Sequence, residues 1–153
     1  MEEERILGIL PVDLKRFLGS GFDFYNLYFT NKRIVAGKTG SGLVSRYLGK
    51  GIAFATFGVV GLAMRKAMHE DKSKYKDMSL EQVLDADKKN FELDYKDIES
   101  IELKKFSKWR GGKNYFGMII KSAKKRNFLV NTEFYDDLKS LLSEVMPEKL
   151  IAK

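Results

Sequence analysis

The chain has no cysteine, one histidine and a long window without acid. The first absence excludes disulfides, thiolate metal ligands and a cysteine nucleophile, and it is compatible with a reducing compartment. The second leaves His69 as the sole imidazole for a metal site or a Ser-His-Asp arrangement, and imidazole metal sites call on more than one such ligand. Its setting, Lys66-Ala67-Met68-His69-Glu70-Asp71, reads as solvated. The acidic start Met1-Glu2-Glu3-Glu4-Arg5 leads into a short apolar run, unlike a secretory signal. The sequence therefore points to a cytoplasmic protein and, with no catalytic constellation or cofactor motif, to no enzyme.

Charge is present but uneven. The 153 residues carry 28 basic and 21 acidic side chains, a formal net charge of +7. No acid occurs between Glu102 and Glu133, where nine basic residues lie: Lys104, Lys105, Lys108, Arg110, Lys113, Lys121, Lys124, Lys125 and Arg126. Without those nine the remainder holds 19 basic against 21 acidic residues. The positive field belongs to one segment, and it calls for an anionic partner.

Local patterns give an order of elements. Arg5 to Leu10 and Phe24 to Thr30 read as strands around Gly19-Ser20-Gly21, and Thr30-Asn31-Lys32-Arg33 reads as a tight hairpin in which asparagine takes a left-handed backbone. A helix is expected between Leu43 and Met68, then a shorter one from Leu80 to Lys88 behind the capping-box spacing Ser79-Leu80-Glu81-Gln82. Phe91-Glu92-Leu93 and the alternating Ile98 to Leu103 return to strand character, and Asn114 to Lys121 and Asn127 to Val130 form a hairpin. From Thr132 the period turns helical, with Phe134, Leu138, Leu141, Leu142 and Val145 on one face until Pro147. The order describes one α+β domain over 1–153, an antiparallel, partly closed barrel closed by an amphipathic helix near the carboxyl end. A helical insertion over 41–90 follows the third strand.

Two segments carry a resemblance. Leu27-Tyr28-Phe29-Thr30-Asn31-Lys32-Arg33-Ile34-Val35 is similar to a hairpin of the prokaryotic pleckstrin-homology-like and GRAM-like families, and Leu93-Asp94-Tyr95-Lys96-Asp97-Ile98-Glu99-Ser100-Ile101 resembles their later strand entry. The resemblance covers roughly 5–38 and 91–146, and the insertion departs from it. It implies a binding scaffold and transfers no ligand, because one fold serves many functions.

Two constellations carry the functional expectation. The loop Lys104-Lys105-Phe106-Ser107-Lys108-Trp109-Arg110-Gly111-Gly112-Lys113 joins cations to two large aromatics. Lys104, Lys105, Lys108, Trp109, Arg110 and Lys113 could meet anionic head groups, at about 1 kcal/mol per cation near a charged membrane, or could stack and pair with nucleic acid. A hairpin merely anchored on the core is the third reading. Lys121 to Arg126 should lie roughly 25 Å away along the intervening strand, so the two clusters form no common pocket. The second constellation is Gly51 to Met64, fourteen uncharged residues. As a helix they rise about 21 Å, short of the roughly 30 Å hydrocarbon core. Phe54, Phe57, Val60 and Leu62 then serve packing within the protein, a homo-oligomer contact through 43–68, or a membrane-dipping face. Gly37-Lys38-Thr39-Gly40-Ser41-Gly42 lacks the spacing of a phosphate loop. The expected function is a non-catalytic module that associates with an anionic lipid surface at the inner face of the membrane or with protein, with nucleic-acid binding through 104–126 as the alternative.

Overall fold

The computed structural model of the chain describes residues 3–16, 21–42, 74–105 and 115–152. Eight strands form one sheet: β1 (Ile6–Lys15), β2 (Phe22–Thr30), β3 (Arg33–Gly42), β4 (Phe91–Asp94), β5 (Ser100–Lys105), β6 (Tyr115–Lys121), β7 (Lys125–Asn131) and β8 (Leu150–Ala152). Among the described residues two α-helices accompany them, α1 (Leu80–Ala86) and α2 (Tyr135–Val145). The order across the sheet is β4-β3-β2-β1-β7-β6-β5-β8. Every pair is antiparallel except β5 with β8. This is an α+β fold.

The chain connection forces the sheet to curl. In a flat sheet β4 and β5 would stand about 29 Å apart, six strand spacings. Only residues 95–99 join them, and the six steps from Asp94 to Ser100 reach at most about 21 Å. The strands therefore bend around one interior. Leu10, Val12, Leu27, Phe29, Ile34, Ala36, Leu103, Phe116, Met118, Phe128 and Val130 fill it. Leu138 and Leu142 of α2 are buried in the same cluster, with Leu141 and Val145 packed against it, as the helical spacing of those residues requires.

A second, smaller cluster covers the outer face of the first strands. Ile9, Tyr28 and Val35 pack there against Tyr75 and Val83, with Leu80 and Leu84 beside them. The capping box that starts α1 is formed: Gln82 N donates to Ser79 Oγ at 3.2 Å and Ser79 N to Gln82 Oε1 at 2.8 Å. Tyr75 lies so close to β3 that a Cβ on Gly37 would come within 2.7 Å of its Cε2. Its hydroxyl donates to Lys38 O at 2.5 Å and accepts from Asn90 Nδ2 at 3.1 Å.

Several expectations shift. β1 continues past Leu10 to Lys15, through Pro11. Among the described residues β7 pairs only with Asp13 and Leu14 of β1, so Pro11 faces no β7 ladder partner. No non-glycine residue among those described has positive φ, so Asn31 does not supply a left-handed turn. The turn is held instead by Thr30, whose Oγ1 accepts from Lys32 N at 3.0 Å and Arg33 N at 2.9 Å. The Asn31 side chain ties down the start of the chain, accepting from Arg5 N at 2.8 Å and donating to Glu3 O at 3.0 Å. β3 runs to Gly42, two residues into the stretch assigned to the insertion, and α1 stops at Ala86 rather than Lys88. β8 follows α2, so the amphipathic helix is not the last element. The helix expected over 43–68, with Phe54, Phe57, Val60 and Leu62, lies outside the described residues, as does His69.

Candidate functional site

Alternation along a strand sends every second side chain to the same face. On the inward face β1 carries Leu10, Val12 and Leu14, β2 carries Tyr25, Leu27 and Phe29, β3 carries Ile34 and Ala36, and β7 carries Phe128 and Val130. Following each series by one more step reaches Arg16, Asp23, Lys38 and Arg126. The register agrees, because Leu14 is opposite Asp23 and Tyr25 is opposite Lys38. Four strands thus end their core-facing series in charge, three cations and one carboxylate.

Three of these groups, Arg16, Asp23 and Arg126, border a cleft of about 810 Å³ lined also by Leu14, Lys15, Lys89, Lys124, Lys125 and Asn127. Asp23 Oδ1 lies 3.2 Å from Arg16 Nε and 3.6 Å from Lys38 Nζ. The carboxylate is only 13% exposed and Lys38 17%, so this pair is largely shielded from water, whereas Arg16 is 34% exposed. Lys15, Lys89, Lys124, Lys125 and Arg126 form no ion pair among the described residues. Among the described residues the lining carries six basic side chains and one acid, which two cations already share.

Arg126 is the most unusual of these groups. Its guanidinium carbon stands 4.2 Å from the ring centroid of Phe91, a cation–π contact of about 1–2 kcal/mol where water is partly excluded. Phe91 in turn meets Tyr25 edge to face, with centroids 5.5 Å apart. Burial lowers the Arg126 pKa from its ordinary value, opposed by the Tyr25 phenol. Burial, reinforced by Asp23 and Asp87, pushes the Tyr25 phenol up to about 12, and its hydroxyl donates to Lys89 O at 3.1 Å. The phenol is therefore a fixed donor at neutral pH that ties the segment before β4 to the cleft.

Glycine is required beside the cleft. Gly21 has φ of +110°, and a Cβ there would come within 2.7 Å of Gly42 O, so the start of β2 and the end of β3 approach with no room for a side chain.

Of the residues singled out from the sequence, Lys104 and Lys105 are described, at the exposed end of β5. Lys105 Nζ lies 4.7 Å above the ring of Tyr135, which packs edge to face on Phe116 at 5.0 Å. Lys108, Trp109, Arg110 and Lys113 lie outside the described residues. The ladder pairs Lys105 with Phe116 and Ser100 with Lys121, and Lys121 with Lys125. Lys105 and Lys121 thus occupy opposite ends of β5 and β6, about 17 Å apart, and the cleft includes neither Lys104 nor Lys105. Lys15, Arg16, Asp23 and Lys89 entered no sequence expectation, and Lys124 to Arg126 were weighed only as a second basic turn. The available signal was the charge that ends each alternating apolar series.

Among the described residues no group of three or more His, Cys, Asp or Glu could hold a metal, and no helix is long and apolar enough to cross a membrane. No protein-family model matches the chain, and neither the curated proteins nor the solved structures contain a match.

Proposed function

We propose that the protein is a non-catalytic, pleckstrin-homology-like binding module that associates peripherally with an anionic membrane by taking a phosphate-bearing group into the basic cleft. The observation that carries this reading is the set of cations around the cleft that form no ion pair among the described residues, above all Arg126. An unpaired cation on the inward face of a strand costs desolvation in the free protein. An anion that enters the cleft recovers that cost, so the arrangement is poised for a ligand rather than for stability. The exposed Lys15, Lys124 and Lys125 at the rim add long-range attraction of about 1 kcal/mol each near a charged membrane.

The pleckstrin-homology-like assignment rests on the two quoted segments, the curled antiparallel sheet and the burial of α2 in its core. A nucleic-acid strip from 104 to 126 would have to use both ends of β5 and β6, whereas the cations of the cleft converge on one volume.

The test is co-sedimentation of the whole chain with vesicles of phosphatidylglycerol or of phosphatidylcholine, for the wild type and for Arg126→Gln. Wild-type binding only to the anionic vesicles, weakened about tenfold by the substitution, is expected, the loss of one desolvated charge-assisted contact. Equal partition to neutral and anionic vesicles, or indifference to Arg126→Gln, would sink the reading.

A further inference from the structure

Asp23 is out of place in a site built to attract anions, because its negative charge opposes any anion that enters. Its two oxygens are not equivalent. Arg16 Nε and Lys38 Nζ both address Oδ1, while Oδ2 has no hydrogen-bond partner among the described residues. Asp23 itself is one of the residues that line the open volume. A carboxylate oxygen accepts hydrogen bonds and donates none. Held between Arg16 and Lys38, the carboxylate cannot turn away.

Resting on the proposed anion-binding role, we propose that Asp23 makes the cleft selective for a phosphate accompanied by a hydrogen-bond donor, either a protonated phosphate oxygen or a hydroxyl on the same head group. Arg126, Arg16 and the rim lysines supply the attraction for the phosphate oxygens, and Asp23 Oδ2 supplies the acceptor for the hydroxyl. An anion without a donor meets the same cations but leaves Oδ2 facing a like charge with nothing between them. Discrimination of this kind is strong because a buried polar group left unpaired is penalised, whereas an extra apolar contact distinguishes ligands weakly. Electrostatics alone predicts the reverse ranking: sulfate carries full charge and would compete well with phosphate if only the cations mattered.

Two ligand pairs separate the donor from the charge. Free in solution, inorganic phosphate retains a P–OH group and sulfate has none. On a surface, phosphatidylglycerol carries hydroxyls and phosphatidylmethanol does not, at equal lipid charge. At pH 7 and matched ionic strength, the wild type is expected to bind the donor-bearing member of each pair at least tenfold more tightly. In Asp23→Asn the gap should close to under threefold, mainly through tighter binding of sulfate and phosphatidylmethanol. A response to the free pair alone marks a soluble phosphate ligand, and a response to the vesicle pair marks a lipid head group. Should Asp23→Asn fail to fold, the carboxyl ¹³C resonance of Asp23 in the intact wild type gives the answer: it must move with phosphate and stay still with sulfate at equal occupancy. Binding that ignores the donor, or a gap that survives Asp23→Asn, overturns the selectivity while leaving the cleft an anion site. If no phosphate, sulfate or vesicle binds, the underlying role itself is wrong.

Discussion

Two arginines of this chain sit in opposite situations. Arg33, at the start of β3, is surrounded by acid: Nε and Nη2 meet both oxygens of Glu4 at 2.9 and 3.0 Å, Nη2 meets Glu81 Oε1 at 2.6 Å, and Nη1 bonds Glu92. Arg126, in β7, meets an aromatic ring and forms no ion pair among the described residues. Burial lowers the pKa of Arg126, while the Glu4 hydrogen bonds, followed by those to Glu81 and Glu92, raise that of Arg33. Arg33 joins the amino-terminal segment, β3, β4 and α1 into one corner of the fold. The comparison teaches that a satisfied cation is part of the architecture, whereas an unsatisfied one beside a cleft is available to a ligand.

The largest effect that sharpens this contrast comes from a neighbour. Phe128 follows Arg126 by two residues on the same inward face and is 1% exposed. Phe128→Ala should cost about 3–5 kcal/mol in chemical denaturation, the usual penalty for emptying a core aromatic site. By contrast, Arg126→Gln should change stability by less than about 1 kcal/mol, because loss of the ring contact is offset by relief of an unpaired charge. A large destabilisation from Arg126→Gln would make it a structural residue and remove its distinction from Phe128.

Next in size is the paired arginine. Arg33→Ala should lower stability by about 1–2 kcal/mol. The estimate is held low because Glu81 and Glu92 are 73% and 50% exposed and contribute little, leaving the bidentate Glu4 contact as the main loss. Vesicle binding by Arg33→Ala should match wild type within twofold. If Arg33→Ala impairs binding as much as Arg126→Gln, the two sites are not functionally separate.

Much of this architecture was legible from residue patterns, and the reasons differ by element. The helix α2 could be read because five apolar residues repeat at helical spacing, and Leu138 and Leu142 are indeed buried. The start of α1 could be read because Ser79 and Gln82 satisfy each other locally. The cleft was hidden by strand phase. Starting β7 at Asn127 left Arg126 in a turn, while the actual start at Lys125 puts it in phase with Phe128 and Val130. Ending β1 at Leu10 likewise hid Lys15 and Arg16, because a proline next to a strand reads as a stop unless its missing donor faces no partner strand. Parallel pairing of β8 with β5 depends on residues 150–152 returning to Ile101 across the whole second half of the chain, and no local pattern encodes so distant a partner.

The smallest effect is one of pH, and its sign follows from the partners. The Arg33 hydrogen bond holds Glu4 below its ordinary value of 4.5, against the opposing effect of burial. A carboxyl group whose pKa is depressed on folding stabilises the protein above the unfolded value, and the contribution fades as pH falls through the folded value. Stability measured by urea denaturation should therefore decline below about pH 4.5 in part through Glu4, as protonation ends its role as an acceptor of two guanidinium bonds. Glu4→Gln should flatten that segment of the curve without touching the plateau shape near pH 7, where it lowers stability by a constant amount. Arg126→Gln should leave the acid slope unchanged, since no carboxylate depends on it for its depressed pKa. An acid slope that persists in Glu4→Gln would assign it to other carboxylates and reduce the Arg33 corner to a set of contacts without linkage to protonation.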